Sequence, residues 1–324
     1  MPGSLETLSL FEEPEAELKA KLRGKLARLA EKNIFVGTSS WKYEGWLGQI
    51  YTPERYQVRG KFSKKRFDQE CLAEYAETFR AVCGDFSFYQ FPTVEFWRKL
   101  FTGSPAQLQF AFKAPEEITV PVFPSHPRYG ARAGRSNPNF LNQSLLESAF
   151  LGPLEPYAHR APVVILEFSS GCGKLFSPDA FAEHLERFLA QLPSQFRYAV
   201  EVRNAEYLDP VYFNALRRHR VAHVLNAWSR MPILSEQLQH REVFTTDLTI
   251  ARALLQRGRN YDEAVRRFSP YRAIQDPYHD AREALRALIR RAGSNREPVY
   301  LFVNNRLEGN APQTIEAILE SEPE

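Results

Sequence analysis

Tyr198-Ala199-Val200-Glu201-Val202-Arg203-Asn204 reads as a strand together with its end. A strand turns alternate side chains to opposite faces, so Ala199, Glu201 and Arg203 share one face, which ends in two opposite charges. Short apolar runs that also end in a polar residue recur at 34–38, 81–88, 108–113, 162–168, 221–226, 243–248 and 299–304, and with 197–203 they make eight. Most are followed by a helix-like segment. Eight strand–helix units are the count that closes a parallel barrel, whose active sites lie in the loops at the strands' C-terminal ends. The expected fold is therefore α/β, a (β/α)8 TIM-type barrel over residues 34–320, preceded by a tail and helix over 1–33.

With 324 residues the chain can bury a large core, and one barrel with an extension accounts for its length. It carries 42 basic and 39 acidic residues, a formal charge of +3, too small to imply a nucleic-acid partner by itself. Three cysteines, Cys71, Cys83 and Cys172, show no metal-ligand spacing and suit a reducing cytoplasm. The first residues are polar and acidic and do not read as a signal peptide. No apolar stretch approaches the roughly 18 residues that span a bilayer. The expected location is cytoplasmic, without a membrane partner.

Residues 1–14 read as a flexible tail. Leu18, Leu22, Leu26 and Leu29 recur at helical spacing over 15–32, an amphipathic helix that packs against the barrel in preference to a membrane. Two long excursions, 115–139 and 252–278, are rich in arginine and interleaved with aromatics or prolines. Both should lie on the face of the strand ends, where long loops are usually functional.

Several residues at the strand ends carry candidate chemistry. Glu201 and, on the neighbouring strand, Glu167 could divide acid and base roles, or sit paired with Arg203 and Lys113. Lys113 closes an apolar run, where desolvation would lower its pKa and make it a base, a Schiff-base former or an anion clamp; snorkelling is the alternative. Arg203 could fix an anion. Trp41, Tyr43 and Tyr89 would wall the pocket, with Asn204, Asn226, Asn304 and Asn305 offering amide hydrogen bonds. The helix starting near Pro312 would present free N–H groups to an anion, although capping alone explains Asn310. Gly171-Cys172-Gly173-Lys174 lacks the spacing of a phosphate loop. His223, within a strand, reads as a core histidine. Two glutamates and no histidine at the strand ends disfavour a metal site, with a carboxylate-bound magnesium as the open alternative.

Gly37-Thr38-Ser39-Ser40-Trp41-Lys42-Tyr43 with Trp46 and Gly48, then Phe88-Tyr89-Gln90-Phe91-Pro92, Phe112-Lys113-Ala114-Pro115, Val200-Glu201-Val202-Arg203-Asn204 and Val303-Asn304-Asn305 together resemble the YecE-like family, domain of unknown function 72. The resemblance spans about residues 34–318. It implies a (β/α)8 barrel and a shared pocket, with no reaction and no catalytic roles. This chain has Cys83 and Asp85 where the family usually has glutamate and asparagine. It reads Val120-Pro121 where a histidine usually follows Ile118-Thr119, and Glu167-Phe168-Ser169-Ser170 where a Gln-Leu-Pro-Pro-like phrase ends the fourth strand. These departures mark a divergent branch.

The functional expectation is an enzyme, a hydrolase, lyase or isomerase, acting without metal or organic cofactor on a small anionic, phosphorylated or sugar-like molecule. In it Arg203 and Lys113 hold the anion, and Glu201 moves the proton with Glu167 assisting. One alternative is a nucleic-acid-binding or phosphodiester-processing barrel, motivated by the arginines and tyrosines of the two excursions. Another is a non-catalytic ligand-binding protein. Substrate identity and oligomeric state are not written in the sequence.

Overall fold

Period-two alternation sorts the strand side chains into two cores. In the computed structural model, which describes residues 14–295 and 297–320, eight strands lie parallel. They are β1 (Ile34–Thr38), β2 (Ala81–Gly84), β3 (Gln109–Lys113), β4 (Val163–Phe168), β5 (Tyr198–Val202), β6 (Ala222–Ala227), β7 (Thr249–Ala253) and β8 (Val299–Val303). Each pairs with the next, and β8 pairs back with β1 to close the barrel. The expected (β/α)8 fold is the fold found. Inside, Cys83, Ala111, Val163, Ile165, Ala199, Val224, Ile250 and Phe302 form one buried cluster. The alternate residues, among them Phe110, Phe112, Val164, Leu166, Val200, Val202 and Leu301, pack outward in a larger one. Two residues beyond Ala111, Ile165, Ala199, Val224 and Ile250, the inner face continues as Lys113, Glu167, Glu201, Asn226 and Arg252. The inner core thus ends in a polar layer at the C-terminal mouth. Its members come in register, Glu167 beside Glu201 and Asn226 beside Arg252.

Two strands differ from expectation. The seventh was expected at 243–248 and is Thr249–Ala253. Thr245 explains the shift: its Oγ1 accepts from the backbone N–H of His223 at 3.0 Å and donates to the Val221 carbonyl at 2.7 Å, so that segment plugs the start of β6. Residues 249–253 pair with both β6 and β8. Arg252, expected in a loop, is therefore a strand residue. The second strand stops at Gly84, and Asp85–Phe88 forms a single 3-10 turn instead of continuing to 88. The Ser87 hydroxyl donates to the Lys113 carbonyl at 2.7 Å and bends this turn across the end of β3.

The leading helix, α1 (Pro14–Glu31), packs on the barrel as expected, burying Leu18, Leu22 and Leu26. Lys25 anchors it to the Leu319 carbonyl, and Lys19 to Glu74 in α2 (Lys64–Thr78). The tail expected over 1–14 lies outside the described residues except for Pro14, which begins the helix. At the mouth, the β1 loop meets the excursion after β7. A Cβ on Gly45 would stand 1.9 Å from the Pro270 carbonyl oxygen, so only glycine lets these backbones touch.

Candidate functional site

Six ionised side chains meet at the C-terminal end of the inner core. Glu201, with no exposed surface, lies between two guanidiniums: Arg252 Nη1 donates to Oε2 at 2.5 Å, and Arg203 Nη2 stands 2.6 Å from Oε1 in ionic contact. Glu167 Oε2 gathers three cations at 3.0 Å each: Lys113 Nζ, Arg203 Nη2 and Arg252 Nη1. The turn after β2 adds Asp85, whose Oδ1 accepts from Arg252 Nη2 at 2.8 Å and lies 3.8 Å from Lys113 Nζ. Three carboxylates thus face three cations, and the cluster is formally neutral. Small inner residues below it, Ala111 and Ala199, leave room for the long arginine.

The electrostatics follow from burial and pairing. Burial alone would raise the Glu167 pKa, but Arg203, Lys113 and Arg252 outweigh it and hold the carboxyl well below its ordinary value. Burial would lower Lys113 too, yet Glu167 and Asp85 push it above the ordinary lysine range. The direction is opposite to the expected lowering: the pairing favours the ammonium form of Lys113, which stands 3.7 Å from the centre of the Phe88 ring. Arg252 is likewise raised, burial being outweighed by Glu201, Cys83, Asp85 and Glu167. Burial pushes the Cys83 thiol up to about 12, leaving it a poor nucleophile.

Arg203 has two unused donor nitrogens where Arg252 has one, its Nε. Arg203 is 5% exposed and its guanidinium stacks on Trp228 at 4.0 Å, yet Nε and Nη1 have no acceptor among the described residues. Arg306 stacks 4.5 Å over Tyr261, and its buried Nε also lacks a partner among the described residues.

The family model described as "Protein of unknown function DUF72" matches residues 35–322. The chain belongs to this family. Structures similar to this DUF72 chain include a DUF72 family protein from Thermotoga maritima, 19% identical, with a TM-score of 0.58 over 89% of this chain and 99% of that one. A DUF72 family protein from Enterococcus faecalis, 16% identical, has a TM-score of 0.58 over 90% of this chain and 97% of that one. At such identities the likeness is one of fold. No curated protein matches the chain.

In this DUF72 chain the residues expected from sequence divide. Lys113, Glu167, Glu201 and Arg203 converge, and Asn226 joins their layer, its Nδ2 donating to the Val202 carbonyl at 3.2 Å while Oδ1 has no partner. Trp41 packs edge-on to Phe86 and lines a separate cavity. Tyr43 is sandwiched by Trp46 and Tyr271, and burial pushes its hydroxyl up to about 12. Tyr89 is exposed and lies under Arg128, 4.7 Å away. Asn204 turns toward Glu206, its Nδ2 donating at 2.9 Å.

The side-chain oxygens of the terminal asparagines are taken up within the protein, while Asn305 Nδ2 has no partner among the described residues. Asn304 Oδ1 accepts from Arg306 N at 3.0 Å, and Asn305 Oδ1 accepts from Trp46 Nε1 at 3.2 Å and Ala311 N at 2.7 Å. Asn310 Oδ1 takes the Gln313 N–H. The helix Ala311–Leu319 therefore has its first donors occupied, and the anion position expected there is closed. The arginines of the excursions are largely paired as well: Arg128 with Glu116, Arg132 with Glu117, Arg257 with Glu236, and Arg259 and Arg267 with Asp276.

Sequence reasoning missed Arg252 as a site residue, and it left Asp85, Trp228 and Arg306 unassigned. The signal for Arg252 was present: Ile250 and Arg252 alternate as Ala199 and Glu201 do, but flanking alanines dilute the apolar run. Among the described residues no group of three or more His, Cys, Asp or Glu side chains is arranged to hold a metal ion. No described helix is long and apolar enough to cross a membrane.

Proposed function

We propose that this chain binds a small anionic molecule, phosphorylated or sugar-like, at the C-terminal mouth of its barrel and acts on it by proton transfer. The supporting observation is Arg203, a guanidinium 5% exposed with two N–H-bearing nitrogens unpaired. Buried donors are nearly always satisfied, and an anion is the acceptor a guanidinium takes best. Glu201 and Glu167 both engage Nη2 of Arg203, leaving Nε and Nη1 for the ligand. Trp228 covers the guanidinium face, so entry requires the loop after β6 to shift, at the cost of that stacking. Lys113, kept protonated, stabilises negative charge developing on the ligand. Glu167, whose Oε1 makes no hydrogen bond among the described residues and whose side chain is 13% exposed, is more accessible to a substrate proton than the enclosed Glu201, provided the bound anion draws cations away from it. Glu201 is then a positioning residue. The pairing of the excursion arginines leaves the nucleic-acid alternative with less support.

The test is calorimetric titration and thermal unfolding with inorganic phosphate and a hexose phosphate, against sodium chloride at matched ionic strength. Saturation at 100 times the dissociation constant should stabilise the fold by about 2.7 kcal/mol. Arg203→Lys, which keeps the charge but loses the fork, should bind at least about tenfold more weakly. Equal binding by Arg203→Lys, or no anion effect beyond sodium chloride, would refute the reading.

A further inference from the structure

A second cavity, of about 470 Å³, opens beside the ionic cluster between α2 and α3 (Val94–Thr102), beneath the β1 loop. That is a volume suited to a small organic ligand. Its apolar walls are Trp41, Phe86, Phe96 and Leu72; Asp85 lines it on the cluster side, and Lys42, Asp68, Gln69 and Lys99 add to the polar lining. Phe86 is the hub of the aromatic wall, edge-on to Trp41 at 6.1 Å and tilted against Phe96 at 4.9 Å. Phe96, packed against Phe86 and Trp97, stays 36% exposed.

One polar group in this wall lacks a partner. Asp85 spends Oδ1 on Arg252, Lys113 and the Cys83 thiol, while Oδ2 accepts nothing among the described residues. The carboxylate offers an acceptor beside aromatic rings. Because Arg252 and Lys113 already compensate the Asp85 charge, a cationic ligand would gain little from it and would meet Lys42 and Lys99 in the lining. A neutral N–H donor suits it better.

We propose that this cavity is a binding site for a planar, neutral, amino-substituted nitrogen heterocycle. Its amino N–H donates to Asp85 Oδ2, and its faces pack against Phe86, Phe96 and the Trp41 ring. Nothing in this assignment depends on the anion reading, since neither Arg203 nor Glu167 lines the cavity.

The probe is 2-aminopyrimidine, with pyrimidine (no amino donor) and benzamidine (a cation) as comparisons, titrated by saturation-transfer NMR at pH 7.5. 2-Aminopyrimidine should bind about tenfold or more tightly than pyrimidine, the discrimination a hydrogen bond to a charged group provides. It should also bind more tightly than benzamidine. Phe96→Ala, at an exposed helix position that leaves the fold intact, should weaken it by roughly threefold to tenfold through lost ring contact. Asp85→Ala should abolish the preference over pyrimidine. Equal binding of the three compounds, or 2-aminopyrimidine binding untouched by Phe96→Ala, would overturn the assignment. Phosphate affinity measured on the same Phe96→Ala protein should be unchanged, which separates failure here from failure at Arg203.

Discussion

Arg252→Met removes the guanidinium that ties three strands together, and the structure sets the size of the effect. The methionine fills much of the same space, so the main loss is electrostatic. Glu201 loses its 2.5 Å donor and Asp85 its 2.8 Å donor, while Glu167 keeps Lys113 and Arg203 at 3.0 Å. The cluster passes from neutral to one negative charge beneath a largely closed mouth. Breaking a buried pair by removing one partner costs about 3–5 kcal/mol. An unfolding entropy of about 2.1 cal/mol/K per residue is about 0.7 kcal/mol/K for a chain of this length, so the midpoint should fall by roughly 4–7 °C. Urea denaturation should show a lower midpoint concentration with an unchanged slope. Adding Glu201→Gln removes a negative charge along with the positive one. The double variant should therefore be more stable than the sum of the singles predicts, by about 1–3 kcal/mol. The acid limb offers a second check. Glu167 has a folded pKa below its unfolded value, so its contribution is complete above the unfolded value of about 4.3 and is lost as pH falls through the folded one. Without Arg252 that depression shrinks, and the acid midpoint should move to higher pH. Strictly additive singles, or an unmoved acid midpoint, would refute the view that the six charges act as one buried network.

His223 tests burial on the outer face of β6, where Tyr212 hydrogen-bonds Nδ1 at 3.0 Å and desolvation lowers the imidazole to about 3. A base depressed in the folded state gives full stability above its unfolded pKa of about 6.5 and loses it below, so pH 5 should cost about 2 kcal/mol; His223→Phe should be flatter between pH 7 and 5 by chemical denaturation, and parallel curves would count against a buried neutral ring. Arg160 serves as a control away from the mouth, donating to the carbonyls of Phe101, Ser104, Pro105 and Leu108 and to the Ser104 hydroxyl. Arg160→Met leaves these buried acceptors unsatisfied and should destabilise by about 3 kcal/mol or more without changing phosphate affinity; a changed affinity would show that the ligand does not sit where Arg203 places it.

How much of this could be read from residues alone depends on how each side chain reports its surroundings. The 198–204 stretch disclosed its strand because alternation is a local property, and a barrel makes one face of every strand converge. Glu167, Glu201, Arg203 and Lys113 were legible for that reason. Arg252 obeys the same alternation, but a buried arginine between alanines resembles a loop in composition. Only the pairing of 249–253 with both neighbouring strands, and the use of Thr245 to plug β6, assigns it to the barrel. Protonation was less legible still. Position alone set burial against Lys113, and the outcome turned on Glu167 and Asp85, the latter on a turn the sequence reads as continued strand. Arg252 and Asp85 make one ion pair, so the two misreadings hid the same feature. From the turn beyond β2 the Asp85 carboxylate reaches Arg252 with one oxygen and also lines the aromatic cavity, a link between cluster and cavity that a carboxylate at position 83, inside the barrel wall, would not make.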